Sequence, residues 1–85
     1  MFTEVTNADY ISDYKVSVLF NDGVKKIIDF YEILFLNDYP AFRPLKDIEV
    51  FKKFTITDTL EWDKGNIDIA PEAMYEMGEI EGSIN

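Results

Sequence analysis

Asp63, Gly65, Asn66 and Asp68 place three oxygen-bearing side chains around one glycine, a kind of loop that can hold a hard cation such as calcium. The spacing departs from an EF-hand, because the glycine falls between the first two candidate ligands and no bidentate glutamate follows at the right distance. A turn fits better, with Asn and Asp locking their own backbone, and Asp68 is expected to order the loop into the last helix. Asp29, Asp63 and Asp68 also stand near predicted strand ends, where paired carboxylates could do acid–base work. With 17 acids in 85 residues such placements arise by chance, and nothing in the linear order drives two of their pKa values apart as hydrolysis requires. The chain has no Cys and no His, which removes disulfides, thiolate and imidazole metal sites, and imidazole-activated nucleophiles. The expectation is no catalytic residue, no cofactor, no metal and no enzymatic activity.

Binding is the chemistry left. Phe30, Tyr31, Phe35, Tyr39 and Phe42 put five rings into 13 residues, more than one small core readily buries. Aromatics on a rim anchor protein interfaces, so Tyr31, Phe35, Tyr39 and Phe42 are candidate partner-binding residues. No basic residues interleave them, so they do not form a base-stacking platform. The net charge of −9 is uneven: residues 1–57 hold nine acids and seven bases, whereas residues 58–85 hold eight acids and only Lys64. That end repels nucleic-acid phosphates and anionic membranes and attracts a basic protein surface. Glu72, Glu76, Glu79 and Glu81 are its candidate contact residues, against the plainer reading of a solvated, solubilising end.

The elements that must carry these groups fit one domain, since 85 residues allow one small core. Hydrophobic residues at 47% are enough for burial to offset ordering entropy. No stretch approaches the ~20 apolar residues of a membrane span, and the N-terminus lacks the features of a signal peptide. The chain therefore reads as cytoplasmic. Tyr14 to Phe20 and Val24 to Phe30 alternate like a β-hairpin, with Asp22-Gly23 as a two-residue type I′ turn; Leu19 and Lys26 interrupt the pattern. Phe2 to Tyr10 is a weaker strand, ended by Ser12-Asp13. Ile33 to Leu36 suits a helical turn. Asp47 can cap a helix carrying Ile48, Phe51 and Lys52, with Leu45 pinning its start. Phe54 to Thr57 and Leu60 to Trp62 form a second hairpin, with Leu60 and Trp62 on its core face. Pro71 opens a last short helix, weakly capped by Ala70 and ended by Gly78.

Four pieces occur in order along the chain. They are the strand ending in Phe20-Asn21-Asp22-Gly23, the strand ending in Asp29, the segment Leu45-Lys46-Asp47 followed by Phe51, and the close from Trp62 through Gly65, Asp68, Ile69 and Pro71 to Tyr75. Together they resemble the uncharacterised bacterial family known as domain of unknown function 2442, over nearly the whole chain. The resemblance implies a small α+β protein with a mixed or antiparallel sheet. It also implies genes beside other small genes in arrangements like toxin–antitoxin pairs, hence a partner and no activity. The resulting expectation is a single α+β domain over residues 1–78, with an antiparallel-rich sheet of about four or five strands and two short helices. An acidic, frayed tail over 79–85 follows it. Its expected role is protein interaction or regulation, in an antitoxin-like form that docks a basic neighbour. The alternative is a structural module that closes on itself as a homo-oligomer.

Overall fold

The computed structural model describes residues 2–80. It is an α+β fold of two antiparallel sheets and a few short helices. The strands, in chain order, are β1 (Val5–Ser12), β2 (Lys15–Phe20), β3 (Lys25–Asp29), β4 (Thr55–Ile56), β5 (Leu60–Trp62), β6 (Ile67–Ile69) and β7 (Glu79–Ile80). The larger sheet has the order β1-β2-β3-β7 and the smaller β4-β5-β6. Between β3 and β4 run a π-helical turn (Glu32–Leu36), a 3-10 segment (Pro40–Lys46) and helix α1 (Ile48–Phe51); α2 (Pro71–Met77) lies between β6 and β7.

Alternation does most of the work in the larger sheet. Val16, Val18 and Phe20 on β2 and Ile28 on β3 are fully or almost fully buried on one face, with Val5 and Ala8 of β1 beside them. Pairing of Val18 with Ala8 and Lys26, and of Val16 with Tyr10 and Ile28, sets that register. The β2–β3 connection differs from the expected two-residue turn. Gly23 N–H donates to Phe20 O at 3.0 Å and Phe20 N–H to Val24 O at 2.9 Å, and Gly23 alone in the loop has positive φ, at +87°. This is a three-residue loop in which a tight turn is followed by a left-handed glycine that forms a bulge. Asp22 does not have positive φ and uses its carboxylate to accept the Val24 N–H at 2.9 Å. The two-residue connection belongs to β1–β2 instead, where Ser12 pairs with Lys15 and Asp13 has φ +49°.

The smaller sheet, α1 and α2 cover the inner face. Trp62 is buried, stacks on Phe51 at 5.9 Å and donates its indole N–H to Phe51 O at 2.8 Å. Phe51 also meets Phe30 at 5.5 Å and Tyr14 at 5.2 Å edge-on, so the core is built around one aromatic cluster. Asp47 caps α1 as expected, accepting the Glu49 N–H at 3.0 Å, and Leu45 just before it is fully buried. Pro71 opens α2 and no side chain caps it.

Two expectations need correction. Residues 67–69, read as a loop into the last helix, form β6: Ile67 and Ile69 point into the core, and three short residues between a turn and a proline give too brief an alternation to stand out. Asp68 between them faces outward opposite Glu61 and is not a loop-ordering residue. Glu79 and Ile80, assigned to the tail, pair with Ile27 and Lys26 of β3 and add β7 to the sheet edge. The sheet therefore extends to Ile80; it has the four antiparallel strands expected, and a second sheet of three short strands accompanies it.

Candidate functional site

The outer face of the larger sheet carries Lys15, Ser17 and Leu19 on β2 and Lys25, Ile27 and Asp29 on β3. On β3, Ile27 is the apolar residue between the charged Lys25 and Asp29. Around it lies an open groove of about 760 Å³ lined by Ile11, Ser12, Lys15, Ile27, Asp29, Tyr31, Glu32, Leu36, Met77, Glu79 and Ile80. Four of the seven most exposed large hydrophobic residues of the described chain converge there: Ile11 (45% exposed), Tyr31 (49%), Leu36 (69%) and Ile80 (60%). Single exposed apolar side chains are ordinary on a protein surface, whereas a contiguous group marks an interaction site.

Each wall of the groove has a local cause. Asp29 ends β3 and accepts the Tyr31 N–H at 3.0 Å, turning the chain so that the π-helical turn begins at once. In that turn Asn37 N–H reaches Glu32 O at 2.9 Å, and the five-residue register buries Leu34 while leaving Leu36 on the surface. Tyr31 is held upright by stacking on Phe35 at 4.7 Å. On the opposite side Gly78 lets α2 pass close over β3 and deliver Met77, Glu79 and Ile80 to the edge. A β-carbon there would lie 2.9 Å from Ile28 Cγ1 and 3.0 Å from Lys26 Cβ. The rim carries the carboxylates of Asp29, Glu32 and Glu79 against the single cation Lys15, and Lys15 faces Asp29 across the β2–β3 ladder.

The residues expected from sequence divide. Tyr31 and Glu79 line the groove. Phe35 stands behind Tyr31, half-buried between it and Tyr14, whose ring lies 5.1 Å away. Tyr39 and Phe42 pack on each other at 6.0 Å on the 3-10 segment and do not reach the groove. Beside them Asp38 binds Lys46 at 2.9 Å and Arg43 at 3.3 Å, contacts that hold its carboxyl below the usual carboxylate range. Glu72 and Glu76 are exposed on α2 and line no part of the groove. Glu81 lies outside the described residues. Ile11, Ile27, Leu36, Met77, Ile80 and Glu32 went unnoticed; an apolar residue in an outward register, as Ile27 is between Lys25 and Asp29, was the available signal.

The other carboxylates read for chemistry are occupied with structure. Asn66 donates its backbone N–H to Asp63 O at 3.0 Å and its side-chain amide to Asp63 Oδ2 at 3.3 Å, closing the β5–β6 turn. Asp63, Lys64 and Gly65 all have positive φ, at 51°, 56° and 87°. Among the described residues no group of three or more acidic side chains is placed to hold a metal ion, and no helix is long and apolar enough to cross a membrane.

The model of one protein family, described as a protein of unknown function (DUF2442), matches residues 5–79. No curated protein and no solved structure matches the chain.

Proposed function

The chain belongs to the DUF2442 family, and on that premise we propose that it is a protein-binding module whose working surface is the groove on the outer face of the β1-β2-β3-β7 sheet. The observation that carries this reading is the convergence of Ile11, Tyr31, Leu36 and Ile80, all substantially exposed, on one concavity. Apolar groups at the centre of a patch supply burial when a partner docks, and a polar rim sets its orientation. The surplus of carboxylates on this rim selects a basic partner. It also weighs against a second copy of the chain, which would bring Glu32 and Glu79 against their own equivalents.

In this reading the role is regulatory and antitoxin-like: a small acidic protein that covers a basic neighbour. Glu72 and Glu76, away from the groove, contribute the longer-range field that steers approach, and Glu32 and Glu79 meet the partner directly. The test is association kinetics with the partner recovered from the native cell. The partner should be basic, and binding should weaken as salt rises, because exposed charges are screened beyond about 8 Å at physiological ionic strength. Glu32→Gln with Glu79→Gln should raise the dissociation rate, whereas Glu72→Gln with Glu76→Gln should only slow association. An acidic partner, or binding indifferent to salt and to both double variants, refutes the proposal.

A further inference from the structure

We propose that the free edge of β1 takes an added strand from the partner, extended and antiparallel, with Lys or Arg on the face that meets Asp9 and apolar residues on the other. This rests on the reading above and names how the partner grips one wall of the groove, which Ile11 and Ser12 at the end of β1 line. The hydrogen bonds of β2 show which way each backbone group turns. Phe20 N–H donates to Val24 O and Phe30 N–H to Tyr14 O, both at 2.9 Å, whereas Asn21 N–H donates to Glu4 O. Even-numbered residues of β2 therefore turn their backbone toward β3 and odd-numbered ones toward β1. On β1, Asn7 and Asp9 lie opposite Leu19 and Ser17 and spend their backbone groups on β2. Val5, Ala8 and Tyr10 lie opposite Phe20, Val18 and Val16 and turn theirs outward. Val5 N–H already meets a backbone carbonyl there, Asp58 O at 2.8 Å. Among the described residues no hydrogen bond fills the outward amides and carbonyls of Ala8 and Tyr10.

Unpaired backbone groups at a sheet edge are what strand addition uses. Brevity, lysine and proline blunt such edges. The opposite edge, β7, is two residues long, whereas β1 has eight residues and neither a lysine nor a proline. Its register shifts fall between Val5 and Asn7 and between Tyr10 and Ser12, so they bracket the regular stretch and limit the added strand to a short grip. The side chains set its chemistry. Asp9 is exposed and is the one charge on β1, and a cation directly across from it is favoured. On the inner face Tyr10 packs edge-on to Phe51 at 6.4 Å, with Lys52 Nζ 5.5 Å from its ring centre, so an apolar neighbour fits there. A second copy fits worse. Pairing Ala8 with the equivalent of Tyr10, the two-fold register that uses both outward residues, sets Asp9 directly against its own equivalent.

The test titrates the full chain, isotopically labelled, with a capped peptide alternating Val and Lys over about seven residues, roughly 24 Å when extended. In the antiparallel register its Val residues pair with Ala8 and Tyr10, so the Val amides face β1 and the Lys amides face away. Hydrogen exchange at the Ala8 and Tyr10 amides should be fast in the free chain and slow with the peptide bound. Methylating the Val amides should weaken binding at least about tenfold, and methylating the Lys amides should leave it unchanged. Replacing Lys by Glu in the peptide should weaken binding, and Asp9→Lys should reverse that order. Ala8 and Tyr10 amides already protected in the free chain at every concentration, no binding at about millimolar peptide, or equal loss from either methylation overturns the added strand. The groove reading would then still stand or fall on the Glu32 and Glu79 variants. Protection that grows with protein concentration alone shows that a second copy covers the edge, which also overturns the proposal. A Glu peptide that binds as tightly as the Lys one contradicts the basic partner as well.

Discussion

Gly78→Ala is a substitution whose sign depends on packing. The backbone at Gly78 is extended, with φ −82° and ψ 160°, a conformation any residue adopts, so replacing glycine by alanine there should stabilise by about 0.4–1 kcal/mol through the unfolded chain. Packing acts the other way. The new methyl would meet Ile28 Cγ1 at 2.9 Å, Lys26 Cβ at 3.0 Å and Met74 O at 3.2 Å. None of these can yield easily: Ile28 is fully buried, the Lys26 Cβ is tied to the β3 ladder, and Met74 O accepts the Gly78 N–H. Overpacking of this kind costs about 1–3 kcal/mol, so the net expectation is a loss of about 1–2 kcal/mol. For a domain this size that lowers Tm by about 4–16 °C. Thermal melts of wild type, Gly78→Ala and Gly78→Val decide it. The contact argument predicts that Val is worse than Ala, whereas intrinsic preference for extended backbone predicts the reverse. A Gly78→Ala protein as stable as wild type or more so, or a Val variant more stable than the Ala one, would refute the account of how α2 reaches the sheet edge.

Trp62→Phe keeps an apolar ring in the core but leaves Phe51 O without its 2.8 Å donor, and urea unfolding should show a loss of about 1–3 kcal/mol; Trp62→Ala should cost about 3–5 kcal/mol. At Gly23, φ +87° with open space around the missing side chain means that backbone strain alone decides: Gly23→Val should destabilise by about 1–2 kcal/mol and Gly23→Asn by much less, read from the same unfolding curves. The Tyr75 hydroxyl donates to Asp22 Oδ2 at 2.7 Å, which lowers the Asp22 carboxyl from its usual 3.8 and raises the Tyr75 phenol from its usual 10.0. A depressed acid contributes stability that is present above 3.8 and lost as pH falls through its lower folded value. A raised phenol contributes stability present below 10.0 and lost as pH rises through its higher folded value. Melting temperature against pH should therefore decline at both ends, and Tyr75→Phe should flatten both limbs; equal slopes in the variant would contradict the bond.

Much of the fold was legible because its signals are local. Val16, Val18 and Phe20 alternate over enough residues to declare a strand, Asp47 stands directly before the helical repeat of Ile48, Phe51 and Lys52, and Leu60 and Trp62 share one face. What was missed depends on short or distant relations. Ile67-Asp68-Ile69 alternates over only three residues, and β7 exists because β3 offers an edge to Glu79 and Ile80, which nothing in their own types announces. The positive φ at Gly23 was readable, but the loop length was not, because Asp22 can serve either a two-residue or a three-residue turn. The groove was the least legible feature. Its apolar members come from β1, β3, the π-helical turn, α2 and β7, so no window of sequence contains them. The aromatic density that drew attention to residues 30–42 is largely spent elsewhere, with Phe30 in the core, Phe35 bracing Tyr31, and Tyr39 and Phe42 on the 3-10 segment.

The central claim is that a basic partner docks on the outer face of the four-stranded sheet. A photo-crosslinking residue placed in turn at Leu36, at Ile80 and, as the control, at Ile56 on the smaller sheet, and activated in the native cell, tests it directly. All three positions are exposed, at 69%, 60% and 40%, so the crosslinker should be accommodated without disturbing the core. The account predicts one basic protein captured from Leu36 and from Ile80 and not from Ile56. Capture of that protein from Ile56 alone, of an acidic protein, or of a second copy of the chain from Leu36 and Ile80 would contradict it.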